Sequence, residues 1–164
     1  MTVHTNTHRL SWPLAITLAA LLASTAAQAD RAPRVTPLPS YQQECASCHV
    51  AFAPGMLPAV SWQRLMANLP KHFGTDASLD AATNKAIAGW LNANAGTYKR
   101  VSAEAPPEDR ISRSPWFIRK HDEVAASVWQ RPAIKSAANC SACHPLADKG
   151  DFNEHAVRIP RHPR

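Results

Sequence analysis

From residue 40 onward, apolar residues recur at helical spacing in short stretches, and no stretch shows the strict alternation of a half-buried strand. Ser40 stands three residues before Gln43 in a capping-box arrangement. It predicts a helix from about Tyr41 that carries Cys45, Cys48 and His49 on successive turns and stops at Ala53-Pro54-Gly55. Ser61 caps a second predicted helix through Trp62, Leu65, Met66 and Leu69, ended by Pro70, and Lys71-His72-Phe73-Gly74 reads as a turn. Asp80 caps a third helix with Ala86, Ile87, Trp90 and Leu91 along one side and Gly96 beyond its end. Residues 97–113 are charged, contain Pro106-Pro107, and read as a linker or exposed loop. Ser114-Pro115 then supplies a cap and a first-turn proline. The helix it opens aligns Phe117, His121, Val124 and Val128 on one stripe and closes at Arg131-Pro132. A last helix is expected from Ser136 through Cys140 and Cys143, followed by a polar tail with a short turn at Asp151-x-x-Glu154.

The apolar run Leu14–Ala23 is of another kind. It follows a weakly basic start with Arg9 and leads to Ala27-Gln28-Ala29, the layout of a cleaved secretory leader. The run is too short to span a bilayer, and no later segment is apolar for 18 residues. Residues 1–29 are therefore expected to be removed after Ala29, leaving a periplasmic chain without stable membrane insertion, in a compartment that permits disulfides.

The chain is rich in proline (14 residues) and poor in aromatics (7%), so the core that the peptide alone can build is thin. Its formal charge is +6, and loss of Arg9 with the leader makes it +5. Apart from Arg158, Arg161 and Arg164 the basic residues are scattered, without the dense basic stripe of a nucleic-acid binder. An acidic partner surface is compatible with this charge.

All four cysteines lie in two hexapeptides, ECASCH (Glu44–His49) and NCSACH (Asn139–His144), whose first cysteines are 95 positions apart. Cys-x-x-Cys-His is the sequence cue for covalent c-type haem: two thiols a short step apart form thioethers, and the adjoining histidine reaches the iron. A thioredoxin-like dithiol wants a βαβ context, which is missing here. Zinc held by four thiolates, or structural disulfides, require no histidine directly after each pair. Two such motifs in an exported chain with no spare cysteine point to two haem c groups, attached through Cys45 and Cys48 and through Cys140 and Cys143. His49 and His144 are the proximal ligands. The haems also supply the apolar surface on which short helices can pack.

The opposite face of each iron needs a second ligand. His121 lies on an apolar stripe, where an unpaired imidazole is costly, and its helix precedes the second motif. His72 sits in a turn 23 residues beyond His49, positioned to return over the first haem. Met56 is cramped against His49, Met66 belongs to a helix stripe, His155 stands among charged residues, and His162 adjoins the terminus. The expected pairs are His49 with His72 and His144 with His121. A cross-over between halves is also geometrically open. Trp62, Trp90, Trp116 and Trp129, all on predicted helices, are expected against haem faces and helix seams.

With ECASCH, SWQRLMANLPKHFGTDASL, WFIRKHDEVAASVW and NCSACHPLADKGDF, which are spread over residues 41–152, the chain resembles the small periplasmic dihaem cytochromes c. The HFG turn and the KHDEV segment narrow the match. The resemblance implies bis-histidine, low-spin haems with His72 and His121 as distal ligands. It also implies a soluble, oxygen-binding monohaem cytochrome as electron acceptor and a membrane b-type cytochrome as donor. The expected architecture is mainly α with little or no sheet. It consists of two small cytochrome c-like halves packed together, residues 30–99 and 116–164, joined by a linker at 100–115. The expected role is electron transfer rather than catalysis. The alternative is a small dihaem enzyme of peroxidase or nitrogen-oxide reductase type, which needs one open haem and an acid or base in its pocket; Glu123 and Arg119 flank His121 in sequence but are expected to point away from its stripe. A zinc or disulfide module without haem is a third class.

Overall fold

The computed structural model describes residues 35–98 and 100–161. The expected leader and His162 lie outside the described residues. Among the described residues there are five helices: α1 (Pro39–Cys45), α2 (Ala59–Ala67), α3 (Ala81–Asn94), α4 (Pro115–Lys120) and α5 (Ala126–Trp129). Single 3-10 turns connect them, and no strand occurs among the described residues. A lone bridge joins His72 to Thr75. The mainly helical expectation therefore holds, although several helix limits differ from the sequence reading, each for a local reason.

Helix α1 starts two residues earlier than the capping-box pattern suggests. Pro39 takes the first position, Leu38 is the cap, and no side chain caps the helix. The helix also stops at Cys45, so Cys48 and His49 lie in the turns beyond it rather than on its surface. The Ser47 hydroxyl donates to the Glu44 carbonyl at 2.9 Å, the acceptor that the Cys48 N–H would need to extend the helix. In α2, Pro58 rather than Ser61 is the cap, and Ser61 is fully buried inside the helix. The helix ends at Ala67, before Pro70. Asp80 does cap α3, accepting from the Ala82 and Thr83 amides, and Gly96 at φ +65° follows the helix end.

The long predicted helix through Val128 is broken in two. Helix α4 ends at Lys120 with His121 as its C-cap, and α5 begins at Ala126. The His121 amide bonds Ile118 in a 3-10 step, while the His121 ring Nδ1 takes the Phe117 carbonyl at 2.8 Å. A side chain thus occupies the carbonyl that the next helical N–H would use. The expected helix from Ser136 is reduced to a 3-10 turn at Cys140–Ala142, after Lys135 in a left-handed conformation (φ +66°).

Helices α1, α2 and α3 enclose a first core of Tyr41, Leu57, Trp62, Met66, Leu69, Ile87 and Leu91. Met56, Trp116 and Phe117 form a second, joined by Tyr98, Val101, Trp129, Ala137 and Phe152. Phe52 and Ile111 pack on both cores. Residues 100–115, read as a linker, hold 3-10 turns at Pro107–Asp109 and Ile111–Arg113. Gly55 lets the chain cross closely: a Cβ there would come within 2.5 Å of Thr97 Oγ1.

Ser114 anchors the start of α4. It is 4% exposed, donates its hydroxyl to the Ile111 carbonyl at 2.7 Å and accepts from the Phe117 amide. Ser114→Ala is expected to lower stability by about 1 kcal/mol, the usual value of such a cap. Thermal or denaturant unfolding of the haem-loaded protein checks this.

Candidate haem sites

Each motif histidine meets one distant histidine. The turn at 71–74 delivers the first. The Thr75 amide bonds the His72 carbonyl at 3.0 Å, and Phe73 and Gly74 take positive φ angles of 49° and 93° to close the bend. This sets the His72 ring 6.2 Å from the His49 ring, centre to centre, with planes inclined by 24°. The end of α4 delivers the second. His121 lies 6.1 Å from His144, with planes at 78°.

These spacings test the fit of a haem iron. An imidazole nitrogen bonds a first-row metal at about 2.0 Å, and the ring centre lies about 1.1 Å further, so two imidazoles on opposite sides of one metal have centres about 6.2 Å apart. Both pairs match that value, so the residues present fit the group. The structure brings His72 beside His49 and His121 beside His144, so each motif histidine has its near histidine neighbour within its own half of the chain.

Hydrogen bonding prepares one ring of each pair. His49 Nδ1 lies 2.7 Å from the Val50 carbonyl, and His121 Nδ1 lies 2.8 Å from the Phe117 carbonyl. A carbonyl can only accept, so each Nδ1 is the donor, and in the neutral ring Nε2 keeps its lone pair for a metal. Burial, then His49, then Arg110 hold the His72 imidazole below its ordinary pKa. Burial, then His121, do the same for His144. A neutral imidazole is the form that binds metal.

Aromatic walls stiffen both pairs. Phe52 stacks on His49 at 5.0 Å, and Phe73 meets His72 edge-on at 4.8 Å. Phe117 stacks on His121 at 4.0 Å, Trp129 lies 5.8 Å from His121, and Phe152 approaches His144 at 5.4 Å. The Arg110 guanidinium sits 4.2 Å over the Phe73 ring. Sequence reasoning did not find Phe52, Phe152 or Arg110, because none of them lies on a helix and loops bring each to its ring. Phe152 reaches the site because the tail is tied back, with the Arg158 amide on the Cys143 carbonyl at 2.8 Å and Arg131 on the Pro160 carbonyl.

None of the four cysteines is in a disulfide. Burial and then Glu44 push the Cys45 thiol up to about 11, and burial is also the main influence raising Cys140 and Cys143. A metal-binding or reactive dithiol wants the opposite shift. Among the described residues no three or more His, Cys, Asp or Glu side chains converge on a metal-sized point. The arrangement thus suits two rings per iron and does not assemble a four-thiolate zinc site.

The other candidates stand apart from these pairs. Met56 is buried in the second core and Met66 in the first, and His155 is exposed. Arg119 and Glu123, beside His121 in sequence, are both exposed.

The dihaem cytochrome c family matches residues 41–152. A dihaem cytochrome c crystal structure from Rhodobacter sphaeroides is 43% identical, covering 73% of this chain and all of its own, with a TM-score of 0.62. A dihaem cytochrome c from Shewanella baltica is 38% identical, covering 77% of this chain and 95% of its own, with a TM-score of 0.66. A comparison with curated protein sequences found no match.

Proposed function

Because the chain belongs to the dihaem cytochrome c family, we propose that it is a periplasmic electron carrier whose two haem irons are each closed by two histidines. Two haem c groups and an electron-transfer role come with the family, and such cytochromes are typically periplasmic. The proposal assigns His49 and His72 to one iron and His144 and His121 to the other. Cys45 with Cys48, and Cys140 with Cys143, form the thioethers. Residues 1–29 are the leader that takes the chain to the periplasm. No helix among the described residues is long and apolar enough to cross a membrane.

The observation that carries this reading is the pair of imidazole gaps, 6.2 and 6.1 Å. When bound, each haem supplies a one-electron change between ferric and ferrous iron. The protein's part is to keep that change from altering coordination. Phe52 and Phe117 brace one imidazole of each pair, and the Val50 and Phe117 carbonyls hold its tautomer. With both axial positions filled there is no place for a substrate, and two imidazoles favour a lower potential than histidine with methionine. Electrons arrive from a membrane b-type cytochrome and leave to a soluble monohaem cytochrome. Scattered positive charge on this chain supports brief docking, so transfer to an acidic acceptor should slow as salt rises from about 0.01 to 0.15 M, where the screening length falls from roughly 30 to 8 Å.

Visible spectra with carbon monoxide provide the test. The ferric protein is expected to show low-spin bands only, and the ferrous protein to be unchanged by carbon monoxide. A high-spin band together with a carbon monoxide shift would refute closure of at least one iron and favour the dihaem enzyme.

A further inference from the structure

We infer that the indole N–H of Trp116 is the hydrogen-bond donor to a propionate carboxylate of the second haem, making Trp116 a positioning residue for that cofactor. The inference rests on two attached haems and on the placement of the second between His121 and His144.

Trp116 is 8% exposed, and its Nε1 is shielded from solvent without a hydrogen-bond partner among the described residues. Two other indoles in the chain are satisfied by the peptide. Trp62 donates to the Pro54 carbonyl at 2.7 Å, and Trp90 to the Thr36 carbonyl at 3.2 Å. An indole N–H can only donate, a buried one normally finds an acceptor, and leaving it unpaired costs the desolvation of the group. The rings nearest to it are Tyr98, edge-on at 5.2 Å, and Phe117 at 6.1 Å. An N–H above an aromatic face is a weak substitute for an oxygen acceptor. A trapped water would need two or more polar partners of its own, and the residues packed in the cluster of Trp116 are mostly apolar, among them Met56, Phe117, Val101 and Ala137, with Tyr98 the neighbour that carries a hydroxyl.

The same cluster walls the second histidine pair. Phe117 stacks on His121, Trp129 touches His121, and Phe152 meets His144. All three pack in the cluster of Trp116. The strong hydrogen-bond acceptors on a haem are its two propionate carboxylates. A carboxylate that enters this wall finds one buried donor waiting, and the N–H offsets part of its charge. That charge favours ferric iron, so the hydrogen bond raises the potential of the second haem.

Proton NMR of the intact ferrous protein with both haems attached tests the contact directly. The Trp116 indole proton should show a nuclear Overhauser effect to the propionate methylene protons of the haem bound at Cys140 and Cys143. Its absence, or an effect only to the other haem, overturns the inference. Trp116→Phe keeps the ring and removes the N–H. The second haem's midpoint should shift to lower potential while the first stays in place. Unchanged midpoints in a variant that still carries two haems per chain also overturn it. A haem count below two in the unaltered protein would instead strike the functional reading on which it rests.

Discussion

Replacing His121 by alanine is expected to open one iron and leave the other closed. The ferric spectrum should gain a high-spin component, and the ferrous protein should bind one carbon monoxide per chain. His121 is the end of α4, and its ring is pinned by Phe117 on two counts, a carbonyl hydrogen bond at 2.8 Å and a stacked ring at 4.0 Å. No other described histidine or methionine replaces it: His155 is exposed, and both Met56 and Met66 are buried in apolar cores. His121→Met should instead keep a sixth ligand where the longer side chain reaches. That exchange raises the potential by a fraction of the roughly 0.8 V that axial ligands span. Electrochemical titration would show one midpoint moving and one staying. His72→Ala should act likewise on the first haem. If either alanine variant remains fully low-spin and indifferent to carbon monoxide, that distal assignment fails.

Removing Cys140 and Cys143 together, as the double alanine variant, is expected to halve covalent haem, from two groups per chain to one, in a pyridine haemochrome assay. The larger consequence is for the fold. Helices α4 and α5 have 6 and 4 residues, far below the roughly 12 that a helix needs to stand alone in water. Among the described residues the second core has only Met56, Trp116 and Phe117 as buried apolar members. Loss of a large apolar group from between His121 and His144 should therefore loosen residues 114–161 before the first core, which has seven buried members. Hydrogen exchange should show lost protection in α4 while α3 stays protected. Equal protection in both helices would mean that the peptide alone sustains the second core.

The match between sequence and structure is uneven along the chain, for identifiable reasons. Caps with a local mechanism were readable at Asp80 and Ser114, where an oxygen two or three residues before an amide makes the bond. Capping failed as a guide at Ser40 and Ser61, because a proline nearby took the helix start in the first case and tertiary burial claimed the side chain in the second. The helices expected through Cys48, through Val128 and through Cys143 were all too long. In the first two, a polar side chain, Ser47 or His121, competes for a backbone carbonyl, and periodicity of apolar residues does not register such competition. His121 appeared as a residue inside a stripe. It is instead a helix terminus, with its ring held by Phe117 at 6.1 Å from the His144 ring.

Residue order alone carried the chemistry of the sites: two Cys-x-x-Cys-His motifs, two further histidines in recognisable settings, and too little apolar sequence to build a large core. Those features are local, and local chemistry is legible in a string of residues. Packing decided the rest. It set the two imidazole gaps near 6 Å, brought Phe52 against His49 and Phe152 against His144, tied the tail to Cys143, and buried the Trp116 N–H. Each of these depends on where distant segments cross. The crossings follow from how the short helices bury their faces together, an outcome no single stretch of sequence contains.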